Sequence, residues 1–112
     1  MRLEQLRAYA LSLPGTIEQP HFDFGAFRVK GRIFVTTPPD GGFAHVFVDD
    51  MQRERALALY PAVVEALHWG SKTVGVRIAL AKARPAFVRG LVHQAWARKL
   101  PRALAAQVPA PA

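Results

Sequence analysis

The chain of 112 residues has no cysteine, which excludes disulfides, thiolate metal sites and thiol nucleophiles together. It also has no carboxylate after Glu65: from Ala66 on, Lys72, Arg77, Lys82, Arg84, Arg89, Arg98, Lys99 and Arg102 meet no acidic residue. No apolar run approaches the length of a membrane span. The opening MRLEQLRAY interleaves charges with its apolar residues and lacks the uninterrupted apolar stretch expected of a signal peptide. A soluble cytoplasmic protein with no membrane association is the expectation.

Catalytic signatures are missing as well. Neither Ser12 nor Ser71 sits in the strained glycine elbow that exposes a serine nucleophile. Gly70-Ser71-Lys72-Thr73 has the ingredients of a phosphate loop, but Ser71 separates the glycine from the lysine and the earlier glycine is absent, so it reads as a turn entering a strand. His21, His45, His68 and His93 never fall at a spacing that puts two imidazoles on one helix face. We therefore expect no enzyme, no metal and no cofactor. His45, between Phe43 and Phe47, reads as a neutral ring in or at the rim of the core.

What is present is apolar residues, at 51% of the chain, which is enough to build a core and argues against disorder despite a net charge of +7. The length suits one domain. We place it at residues 1–107, with 108–112 as a short Pro/Ala tail, and expect a monomer.

Leu3, Leu6, Ala10 and Leu13 make one stripe on a helix that Pro14-Gly15 ends. A polar connection leads to Phe27 and Val29, which alternate with Arg28 and Lys30, and then to the β-branched run from Arg32 to Thr36. Two strands joined at Lys30-Gly31 follow from that pattern. Phe43 to Val48 is a third strand after the turn-rich Pro38 to Gly42. Asp49 or Asp50 caps a helix over Met51 to Leu59 that stops before Pro61. Val63 to Trp69 is open between strand and irregular chain. Val74, Val76, Ile78 and Leu80 alternate as a half-exposed strand that displays Arg77 on its outer side. Pro85 starts a last helix carrying Phe87, Val88, Leu91, Val92 and Ala95, and Pro101 interrupts it. Trp69 and Trp96 read as core or sheet-edge packing rather than base-stacking platforms, with partial exposure the alternative for Trp96, which shares a helical face with Arg89 and His93. These elements predict an α+β domain, a two-layer sandwich in which an antiparallel sheet of about four to five strands carries the first and last helices on one face.

Ser12-Leu13-Pro14-Gly15 closing the first helix, Pro20-His21-Phe22 in the following loop, Phe27 to Phe34 (FRVKGRIF) in the hairpin and Trp69-Gly70 before the last strand together resemble the MmcQ/YjbR family, over nearly the whole chain. The resemblance implies a fold similar to bacterial frataxin (CyaY) and a DNA-binding role through a double-wing arrangement of the sheet. The acidic first helix with which frataxins gather iron has no counterpart here, since Glu4 lies between Arg2 and Arg7.

The cationic half of the chain provides a field suited to a polyanion. The expected function is noncatalytic binding of nucleic acid, most simply DNA, through phosphate contacts from Arg28, Lys30, Arg32, Lys72, Arg77, Lys82, Arg84 and Arg89. This reading has Arg28, Lys30 and Arg32 merging with Arg77 into one stripe on the open sheet face, with Phe34 beside it for base stacking. Arg98, Lys99 and Arg102 fit equally the preference of cations for a helix carboxyl end. The alternative is a protein or small-ligand interaction domain with a pocket formed by His21, Phe22, Phe24 and Trp69.

Overall fold

The computed structural model describes residues 1–111. Its elements are α1 (Leu3–Ser12), β1 (Thr16–Glu18), β2 (Gly25–Val29), β3 (Arg32–Thr37), β4 (Phe43–Val46), α2 (Asp50–Leu59), β5 (Val64–Trp69), β6 (Lys72–Ala79), a 3₁₀ turn at Leu80–Lys82, α3 (Pro85–Ala97) and α4 (Arg102–Ala105). The six strands form one sheet in the order β1-β2-β3-β4-β6-β5, and every neighbouring pair is antiparallel.

The expected α+β sandwich is present, with one or two more strands than the residue pattern predicts. The additions lie at the two edges. β1 occupies what reads as a polar connection and pairs Ile17 with Arg28. β5 resolves the ambiguous stretch before Trp69.

Side-chain alternation sorts the sheet into two faces. Phe27, Val35, Val46 and Val76 occupy successive cross-strand positions and are buried with Leu6, Ala10, Val88, Val92 and Trp96 in one core cluster. Helices α1 and α3 pack on each other and on this face. Helix α2 joins them through Tyr60 at its end, whose ring centroid is 4.2 Å from that of Phe87 on α3. Asp49 caps α2 as expected, its Oδ1 accepting from the Gln52 N–H at 2.9 Å. Trp96 is 1% exposed, in the core as its favoured reading has it, and its Nε1 donates to Pro14 O at 3.0 Å. That bond joins the end of α3 to the SLPG stop of α1. Val108, assigned to the tail, is half-buried against the core, and its carbonyl lies 2.9 Å from His93 Nε2. Ala112 at the end of that tail lies outside the described residues.

The opposite face carries Ala26, Thr36, His45, Arg77 and Glu65 in one cross-strand row. Phe34 is not on it. A bulge between Phe27 and Arg28 shifts the β2–β3 register, and Phe34 enters the core fully buried.

Candidate nucleic-acid interface

β3 and β6 are both antiparallel to the strand between them, β4, so they begin at the same end of the sheet. The β2–β3 and β5–β6 hairpin tips therefore project together. Lys30 (φ 53°) and Gly31 (φ 75°) both take left-handed conformations, as in the type I′ turn whose twist matches that of the strands. Gly70-Ser71 makes the second tip, closed by the Trp69–Lys72 pair.

β4 does not reach this end. It stops at Val46, paired to Val35 and Val76, while β3 extends to Arg32 and β6 to Lys72. The chain leaves the sheet through Phe47 and Val48 toward α2. Gly75 permits this exit, because a Cβ there would run into Val46 O and Phe47 Cα.

The missing end of β4 leaves a slot of about 900 Å³ between the hairpins. Arg28, Arg32 and Ile33 line one side, Trp69, Thr73 and Val74 the other, and Phe47 and Val48 the floor. Arg98 and Lys99 enter from the carboxyl end of α3. Phe47 is 5% exposed and Trp69 59%, and their rings meet edge to face with centroids 5.2 Å apart. Arg98 Nη1 donates to Phe47 O at 2.8 Å. Burial pushes the Lys99 ammonium below its ordinary pKa, and the neighbouring Arg98 and Arg32 add to the effect. Asp49 and Asp50 also line the slot, Asp49 capping α2 and Asp50 pairing with Arg53 at 2.6 Å. No ion pair holds Arg28, Arg32, Arg98 or Lys99 among the described residues.

The expected phosphate-binding residues thus divide. Arg28, Lys30, Arg32 and Lys72 gather at the hairpin end. Arg77 occupies the middle of the open face, where its Nε is 3.1 Å from Glu65 Oε1 and its Cζ lies 3.8 Å from the Phe43 ring centroid. Lys82 and Arg84 lie beyond the far end of β6, and Arg89 is on α3, on the helical layer. The single stripe joining Arg28, Lys30 and Arg32 to Arg77 does not form.

The expected pocket does not assemble either. His21, Phe22 and Phe24 lie ahead of β2 at the other end of the sheet from Trp69. Phe22 is 90% exposed, and Phe24 approaches His45, with centroids 6.1 Å apart. His45 is buried as expected. Its Nε2 lies 3.1 Å from Arg77 Nη1, and burial followed by the Arg77 charge lowers its pKa. Sequence reasoning misses Phe47 and the slot-facing placement of Arg98 and Lys99. The signal for Phe47 is the apolar run's passage into the Asp49 cap, where the chain must leave the sheet.

A model of the YjbR family matches residues 11–98, from the last turn of α1 to the end of α3. The chain belongs to the YjbR family. Both hairpins, the exit of β4 and Arg98 fall within the matched span of this YjbR protein, and Lys99 lies one residue beyond it. No curated protein and no solved structure matches the chain. Among the described residues no helix is long and apolar enough to cross a membrane, and no group of three or more His, Cys, Asp or Glu is placed to hold a metal ion.

Proposed function

We propose that this YjbR protein is a noncatalytic nucleic-acid-binding protein, with DNA as its natural polyanion. The observation that carries this reading is the common direction of the two hairpins, which brings Lys30, Arg32 and Lys72 to one end of the sheet with Arg28, Arg98 and Lys99 between them. Cations held on rigid hairpins at one end match a repeating phosphate backbone, and they need no base-reading helix to do so. Arg77, Lys82, Arg84 and Arg89 have no part in this surface. The binding is sequence-tolerant, because phosphates carry no sequence information.

Fluorescence anisotropy of a labelled random duplex, titrated across a salt series, tests the reading. Binding with a dissociation constant in the range of about 10⁻⁴ to 10⁻⁶ M near physiological salt is expected, with a steep salt slope. The Lys30→Glu/Lys72→Glu variant should flatten that slope by about 0.9 for each phosphate it no longer neutralises. A slope unchanged in this variant, or no binding at low salt, would overturn the assignment.

A further inference from the structure

We infer that the slot between the hairpins is a site for one phosphorylated aromatic unit, a single nucleotide in size, with its phosphate among Arg28, Arg32 and Lys99 and its ring on Trp69. The inference deepens the nucleic-acid reading and rests on it for the phosphate as ligand.

Three observations converge on that ligand. First, the slot falls in the volume range of small-molecule sites, and it pairs an exposed indole with a cluster of cations at one end. Trp69 is braced from below by Phe47 yet keeps more than half of its surface open, the arrangement that stacking on a base requires.

Second, the cations lack carboxylate partners among the described residues. Arg28 lines the slot with its Nε unpartnered, so its guanidinium can give charge-assisted hydrogen bonds to a phosphate seated there. Burial, and then the nearby Arg98 and Arg32 charges, lower the Lys99 pKa, which places these three cations close together. An anion between them offsets that penalty by giving the charges a counterion.

Third, Asp49 and Asp50 are already occupied by the α2 cap and by Arg53. Both carboxylates line the slot, yet neither forms an ion pair with Arg28, Arg32, Arg98 or Lys99 that a phosphate would have to displace, among the described residues. The small-ligand pocket expected around His21, Phe22 and Phe24 has its physical counterpart here, with Trp69 as the one residue in common.

A phosphorylated aromatic unit can arrive as a free mononucleotide or within a single strand. The test is quenching of Trp69 fluorescence by adenosine 5′-monophosphate, adenosine, inorganic phosphate and a single-stranded tetranucleotide. Trp96 is buried, so the Trp69→Phe variant identifies the responding emission. The monophosphate should quench and should bind about tenfold or more tightly than adenosine or phosphate alone, as a charge-assisted contact added to stacking requires. Arg28→Met and Lys99→Met should each weaken the monophosphate by about tenfold and leave adenosine unchanged. A tetranucleotide that competes with the monophosphate places the unit within a strand, and one that does not makes it a free nucleotide. No quenching by millimolar monophosphate, or equal quenching in both Met variants, overturns the site. The duplex titration on the same preparations separates the two conclusions: duplex binding without a monophosphate response removes the slot alone, and loss of both removes the nucleic-acid reading with it.

Discussion

Trp69 rests edge to face on Phe47, with ring centroids 5.2 Å apart, and the contact joins the tip of one hairpin to the residue at which the central strand leaves the sheet. Phe47 is part of the packed interior, while Trp69 projects from an edge strand into solvent. Removing the indole should therefore cost little stability, about 0.5–1.5 kcal/mol for the aromatic pair, yet it should weaken single-stranded DNA about tenfold by removing a stacking platform. Anisotropy with a labelled single strand checks Trp69→Ala, and a duplex titration should change much less.

Gly75→Ala tests the exit of β4. Its new methyl group meets the backbone of Val46 and Phe47 rather than a flexible side chain, so relief requires moving β4 or β6. We expect a loss of about 1–3 kcal/mol, read as a fall of about 5 °C or more in thermal midpoint. A melting curve that matches the parent protein would mean the strands tolerate a wider spacing there.

Arg77 separates a structural cation from a phosphate-binding one. Glu65 and the Phe43 ring already engage it, away from the hairpin tips, so Arg77→Met removes no phosphate contact and should leave duplex affinity within about twofold. The salt slope should also be retained. A slope that falls as far as in Lys30→Glu/Lys72→Glu would extend the interface across the open face.

His45 gives a pH dependence with a definite sign. Arg77 donates to its Nε2, which requires the neutral ring with its proton on Nδ1. Burial and Arg77 both lower the folded-state pKa, so the unfolded chain binds the proton more readily. The resulting stability is present above the ordinary value of about 6.5 and is lost as the pH falls through the depressed native value. Urea titrations from about pH 7.5 down to about pH 4.5, a span that brackets the ordinary His value, should show this decline. His45→Gln should reduce it.

The elements legible in the sequence are those whose signals are local. Leu6 and Ala10 recur at helical spacing, Lys30-Gly31 has turn chemistry, Asp49 precedes a helix-forming run, and Val76 and Ile78 alternate with Arg77. β1 is not legible because three residues are too few to show a period, and Ile17 is 55% exposed on an edge. Phe34 goes to the wrong face in a simple alternation because the bulge in the β2–β3 register reverses its facing. The slot is hidden for a different reason. It depends on β4 ending before β3 and β6 do, a comparison of strands distant in sequence. Arg98 and Lys99 have an adequate local explanation at a helix end, and only tertiary packing brings them beside Arg28 and Arg32.

The width of that opening is set by backbone: one absent strand end, spanned on either side by β3 and β6. Its lining is set separately, by side chains that project from strands already paired elsewhere. Substitutions at Ile33, Thr73 or Val74 can therefore change what fits without dismantling the frame around it. A chain that preserves these strand lengths keeps the aperture while its walls change, so the shape and charge of the opening can evolve here by exchange of wall residues alone.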